Sequence, residues 1–107
     1  MSPEATMKML LQVKLPNESF NAAVRDGSVG DKIQRILKDT KPEAVYFTEM
    51  DGSRGAIMIV DIDDPSKIPA LAEPWFLYFN ADVKLRIVMT RDDLAGAGLD
   101  ELGKKWG

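Results

Sequence analysis

A chain of 107 residues, 45% of them apolar, fits one domain with enough interior to bury a core. Its formal charge of −3, with basic residues scattered among acids, excludes the cationic cluster that a nucleic-acid partner requires, and no apolar run approaches a membrane span. The absence of histidine and cysteine removes the thiol nucleophile, the serine–histidine relay and any zinc site built from those residues.

Met1 to Thr6 is polar, carries Glu4 and lacks the pattern of a signal peptide. It reads as a mobile tail ahead of a single domain over residues 7–107, and the cytoplasm is the expected compartment. Met7 to Leu15 alternates. Met9, Leu11, Val13 and Leu15 make an apolar face, with Lys8, Gln12 and Lys14 on the other, so a strand is predicted. Pro16 stops it. Asn17 is placed to cap a short helix carrying Phe20, Ala23 and Val24. Gly27 and Gly30 interrupt the pattern, and Ser28 with Asp31 resembles a second N-terminal cap. Val29, Ile33, Ile36 and Leu37 then recur at helical spacing. One broken helix, or two short ones, is predicted from Asn17 to Asp39.

Pro42 ends that region. Glu43 to Met50 is the second predicted strand, Asp51-Gly52-Ser53 a tight turn, and Gly55 to Ile62 the third strand. The run Ala56-Ile57-Met58-Ile59-Val60 is apolar on both faces, which marks a central strand. Asp63-Asp64-Pro65-Ser66 is a helix start, and Ile68, Leu71, Ala72, Trp75 and Phe79 follow at helical spacing. Pro74 predicts a kink or a restart, and Asn80 a C-terminal stop. Asp82 to Met89 is the fourth strand. Thr90 and Asp93 form a capping box for a last helix through Leu94, Leu99, Leu102 and Trp106, weakened by Gly96, Gly98 and Gly103.

Strand, helix, strand, hairpin, strand, helix, strand is the split β-α-β pattern. The expected fold is α+β and ferredoxin-like, βαββαβ. Its four-stranded antiparallel sheet has the first and third strands central, helices on one face and a C-terminal helix added. The other face is expected to carry Lys8, Leu10, Gln12, Tyr46, Thr48, Lys84, Arg86 and Val88. Strand three adds either Ala56, Met58 and Val60 or Ile57 and Ile59. Two such faces meeting would bury the apolar centre in a homodimer. Alternatively, Leu99, Leu102 and Trp106 of the C-terminal segment would cover it.

The segment Asp61 to Leu71, with its Asp64-Pro65-Ser66 helix start, and the cluster Pro74-Trp75-Phe76-Leu77-Tyr78-Phe79-Asn80 resemble the dimeric α/β-barrel superfamily. Muconolactone isomerase, small cofactor-free monooxygenases and small uncharacterised bacterial proteins belong to it. The resemblance implies a dimeric α/β barrel with ligands held between helices and sheet. Members with known activity often use a histidine near the barrel, and this chain has none.

Asp61, Asp63 and Asp64 suggest either oxygen ligands for a metal or a helix cap. The calcium-loop glycine and terminal glutamate are missing, so the cap is the reading adopted and neither metal nor cofactor is expected. None of the glycines forms a phosphate-binding fingerprint at a strand-to-helix turn. Trp75, Phe76, Tyr78 and Phe79 form the densest aromatic group, with Trp75 and Tyr78 as candidate pocket walls and Phe79 as core. Arg86 and Lys84, with Tyr46, Thr48 and Gln12, are placed to hold a carboxylate or enolate. The candidate ligand-binding set is therefore Arg86, Trp75, Tyr78 and Thr48. Glu49 and Tyr46 are the weak catalytic candidates.

The expected function is a homodimer that binds a small, partly apolar molecule or serves as an accessory subunit. The alternative is a cofactor-independent isomerase or monooxygenase acting on a small cyclic or phenolic acid. The first is preferred because no side chain here has an ordinary pKa near neutrality.

Overall fold

One-sided alternation makes residues 7–15 a strand, and that strand, β1 (Met7–Leu15), organises the domain. The computed structural model describes residues 6–107, so Met1–Ala5, most of the predicted tail, lie outside the described residues. Helices α1 (Asn17–Asp26) and α2 (Val29–Thr40) follow, then the hairpin of β2 (Ala44–Met50) and β3 (Ser53–Ile62). A short 3-10 turn at Pro65–Lys67 leads into α3 (Ile68–Phe79), and β4 (Asp82–Val88) completes the sheet. The chain ends in α4 (Arg91–Ala95) and α5 (Leu99–Trp106).

The sheet has four strands in the order β2-β3-β1-β4, and every neighbouring pair is antiparallel. The first and third strands are therefore central. Leu11 pairs with both Met58 and Leu85, and Val13 with both Ala56 and Val83. That register turns Met9, Leu11, Val13 and Leu15, with Ala56, Met58, Val60 and Ile62, onto one face. Helices α1, α2 and α3 bury it with Ala23, Ile36, Leu71, Trp75 and Phe79. Ile57 and Ile59 take the opposite, open face. Of the two apolar sets available on strand three, the register chooses this one.

Phe79 is 0% and Trp75 1% exposed. Phe79 stacks on Phe20 at 5.5 Å and on Trp75 at 6.1 Å between ring centroids. The Ser19 hydroxyl donates to the carbonyl of Phe79, which ties the start of α1 to the end of α3. Arg54, from the start of β3, lies 4.5 Å from the centre of the Phe20 ring and donates to Asn21 at 2.8 Å. These contacts close the end of the core nearest the hairpin turn.

Most local signals act where predicted. Asp51 and Gly52 both adopt positive φ, 50° and 83°, the requirement of a type I′ two-residue hairpin. Asp64 accepts from the Ser66 amide at 2.8 Å, and Thr90 and Asp93 form a reciprocal capping box. Asn80 ends α3 in the left-handed conformation.

Four expectations are corrected. Asn17 does not cap α1: Pro16 occupies the N-cap, and Asn17 is already the first helical residue. Ser28 gives no side-chain cap to α2. Instead its amide donates to Asp26 at 2.8 Å. Pro74 causes no restart, and α3 runs through it. Proline cannot donate to the carbonyl of Ala70, yet the helix continues to Phe79. The final helix is two helices, broken where Gly98 takes φ +76°.

The end of the chain does not cover the open sheet face. Leu99, Leu102 and Trp106 are 57%, 43% and 77% exposed. Residues 89–107 extend from the domain as an arm, and the principal extents reach 59 × 36 × 19 Å. The radius of gyration is 17.3 Å. A compact chain of this length would have about 13 Å.

Phe79→Ala removes the ring shared by both aromatic stacks. It is expected to cost about 3–5 kcal/mol of unfolding free energy with an unchanged urea dependence. Chemical denaturation followed by far-UV circular dichroism checks this. A loss comparable to that of an exposed residue would show that the stack is not the core's anchor.

Candidate functional site

Two surfaces have the concavity or the mixed chemistry of a site: the open sheet face and a groove between α2 and α3. The pairing register arranges the first in rows. One row runs Tyr46, Ile57, Gln12 and Lys84 across the four strands, and the next runs Ala44, Ile59, Leu10 and Arg86. Leu10, Ile57 and Ile59 are half-buried at the centre, while Tyr46 is 70% exposed at one edge and Arg86 is exposed at the other. At one end of the face, the Lys8 ammonium donates to Glu43 at 2.5 Å and Asp61 at 3.2 Å. The Glu43 bond is the larger reason its pKa is raised above the ordinary lysine value, and Asp61 adds to it.

The predicted ligand residues fall in three places. Arg86 and Thr48 share the open face but stand on opposite edge strands. With β3 and β1 between them, they are separated by roughly 14 Å or more. Trp75 is enclosed in the core beneath the helices. Tyr78 is on the far side of the domain. Its ring sits edge-on to Phe79 at 6.2 Å, beneath the Lys32 ammonium at 5.6 Å, and forms part of the α2–α3 groove. Tyr46 lies on the open face, opposite Ile57. Glu49 is engaged in structure: its carboxylate accepts the Gly52 amide at 2.6 Å and braces the hairpin turn.

The acidic cluster likewise divides into structural roles. Asp61 pairs with Lys8, Asp63 lies 3.6 Å from Lys67, and Asp64 caps the turn before α3.

The α2–α3 groove was not singled out from the sequence. It is open, about 880 Å³ in volume, and its floor is formed by Ile36, Ala70, Pro74, Leu77 and Tyr78. Arg35, Lys38 and Lys41 stand along its rim with Asp39 and Glu73. In sequence, those cations on α2 look like an ordinary solvated face. Only the packing of α3 beside α2 makes them the wall of a groove.

No protein-family model matches this chain, and no curated protein matches it. Solved structures do. The uncharacterised protein TM1266 from Thermotoga maritima superposes with a TM-score of 0.53 at 11% identity, covering 78% of this chain and 99% of its own. A de novo designed protein, Foldit4, gives a TM-score of 0.46 at 21% identity, over 80% of this chain and 99% of its own. The likeness to TM1266 is one of fold: an α+β chain with a four-stranded antiparallel sheet.

Two carboxylates make the folded state acid-sensitive. Asp26 is held below the ordinary aspartate range chiefly by hydrogen bonding from Ser28, whose amide donates to it at 2.8 Å, and Asp64 by hydrogen bonding from Ser66, whose amide donates at 2.8 Å. In each case the unfolded chain binds the proton more readily. The stabilisation is present at neutral pH and is lost as pH falls through and below the ordinary aspartate pKa of about 3.9. Thermal melts between about pH 2 and 6 are expected to show the loss, and Asp26→Asn with Asp64→Asn to flatten it, because asparagine accepts the same bonds without titrating. An unchanged acid limb in the double variant would assign the effect to other groups.

Proposed function

We propose that this protein is a self-pairing, ligand-binding module without catalysis. In this reading it is a ferredoxin-like half whose open sheet face meets that of a second copy, giving a homodimeric α/β barrel. The barrel holds a small, partly apolar molecule or serves as an accessory subunit, in the cytoplasm. The observation that carries the reading is the open face itself: Leu10, Ile57 and Ile59 form an apolar centre beside Gln12, Lys84 and Arg86. A face meant only for water has no use for that centre, and a second copy would bury it. The strand order β2-β3-β1-β4, with one helical connection from β1 to β2 and another from β3 to β4, supports the ferredoxin-like assignment.

The ligand chemistry follows from one row of the sheet. Arg86 is directly opposite Leu10, and Leu10 is opposite Ile59. An acid with an apolar body fits there, its carboxylate on the guanidinium and its body on the aliphatic side chains. Lys84, two residues from Arg86 on the same face, adds positive charge. Binding is favoured over the isomerase or monooxygenase alternative because Glu49 is committed to the Gly52 amide and Tyr46 stands on the edge strand away from Arg86.

Ile59→Asp places a charge in the apolar centre. It is expected to abolish sheet-to-sheet pairing, read as a fall in average mass in sedimentation or light scattering, while the circular dichroism spectrum stays native. A wild-type protein that remains monomeric at high micromolar concentration rejects sheet pairing. Calorimetric titration with aromatic carboxylic acids tests the ligand, and Arg86→Ala is expected to weaken binding by about 1.5–3 kcal/mol, the loss of a hydrogen bond to a charged group. Binding unaffected by that substitution would remove Arg86 from the site.

A further inference from the structure

Helix α5 has an apolar stripe with no counterpart in its own chain. Leu99, Leu102 and Trp106 recur at helical spacing along one side, and all are exposed. Leu94 of α4 and Met89 before it are exposed as well. The direction of this arm is set by its own backbone. Only Met89 and Thr90 separate β4 from α4, and the Thr90–Asp93 capping box fixes the first turn. Gly98, at φ +76°, sets the corner between α4 and α5. The helix is thus held out from the domain with no buried residue of its own. A helix this short is marginal in isolation, so packing its apolar side against a partner would stabilise it.

The α2–α3 groove is the complementary feature. Its apolar lining includes Ile36, Pro74 and Leu77, and Leu77 is 78% exposed. Arg35, Lys38 and Lys41 on its rim make no ion pair among the described residues. The arm is acidic at its start and cationic at its end. Asp92 and Asp93 lie in the first turn of α4 and Asp100 and Glu101 in the first turn of α5, Glu101 paired with Lys104, while Lys104 and Lys105 in the last turn match the Asp39 and Glu73 that also line the groove. An amphipathic helix laid in an apolar groove is a general docking mode, and opposed charges fix its direction.

We infer that helix α5 of one chain docks in the α2–α3 groove of a second copy. Leu99, Leu102 and Trp106 cover Pro74 and Leu77, and the acidic first turn lies beside Arg35 and Lys38. The contact joins two different surfaces, so it is heterologous and distinct from the sheet pairing proposed above. It stands without that pairing.

The chain has no cysteine, so an engineered pair is unambiguous. Leu102→Cys and Leu77→Cys chains, made separately, mixed and oxidised, are expected to yield a disulfide-linked heterodimer in excess of either homodimer. The link should form more slowly at high salt, which screens the acidic turn from the cationic rim. No heterodimer up to high micromolar concentration overturns the inference. A double variant, L77C with L102C, that links within one chain at high dilution also overturns it, since the arm then closes on its own groove. Preferential linking of Leu102→Cys to a Tyr46→Cys chain overturns it too, because the receptor is then the open sheet face. A second measurement avoids thiols. Trp106 emission is expected to shift to shorter wavelength as wild-type concentration rises, with buried Trp75 as a constant background, and Leu77→Asp or Lys38→Glu is expected to abolish the shift. Adding Ile59→Asp to the mixed cysteine chains separates the two proposals: it removes sheet pairing and leaves the arm-to-groove link.

Discussion

A four-stranded sheet has two faces, and among the described residues helices cover only one of them. The helices on that face are set by β1, whose Met9, Leu11, Val13 and Leu15 are all buried beneath them. The aromatic stack of Phe20, Phe79 and Trp75 fills the space above the strand. Trp75 is thereby enclosed in the core rather than lining an open pocket.

The same arrangement decides what chemistry is accessible. Among the described residues no charged residue is buried, and the Ser28 hydroxyl is a buried side-chain polar atom without a partner. The shifted groups, Lys8, Asp26 and Asp64, owe their shifts mainly to hydrogen bonds rather than to removal from water. Acid–base catalysis at neutral pH uses carboxyls or amines moved far from their ordinary range, usually by burial. The open face and the α2–α3 groove each set cations beside aliphatic side chains.

Local signals in the chain were legible because their causes are local. A two-residue Asp51-Gly52 turn needs positive φ at both positions, and glycine with aspartate supplies it cheaply. Asp64 and Thr90 cap through amides only two or three residues away. The alternation of β1 announces a one-sided strand whatever surrounds it. Where the local reading failed, the backbone conformation decided. Ser28 gives no side-chain cap because its own backbone is already helical, at φ −89° and ψ −8°. Asn17 cannot cap α1 because it is already the first helical residue, with Pro16 at the N-cap.

The sequence by itself determined the element order, the turns and the fact that strand three is apolar on both sides. All of these depend on backbone preferences and spacing within a few residues. Tertiary structure alone decided which side of strand three faces the helices, because that choice follows from pairing Ala56 with Val13 and Met58 with Leu11. It also decided that Trp75 and Tyr78, three residues apart on α3, belong to a closed core and an open groove respectively. It separated Thr48 from Arg86 by the width of the sheet, and it held α5 clear of the domain. Periodicity records that a residue has a face. Only the packing of other elements against that face determines whether it meets core, solvent or a partner.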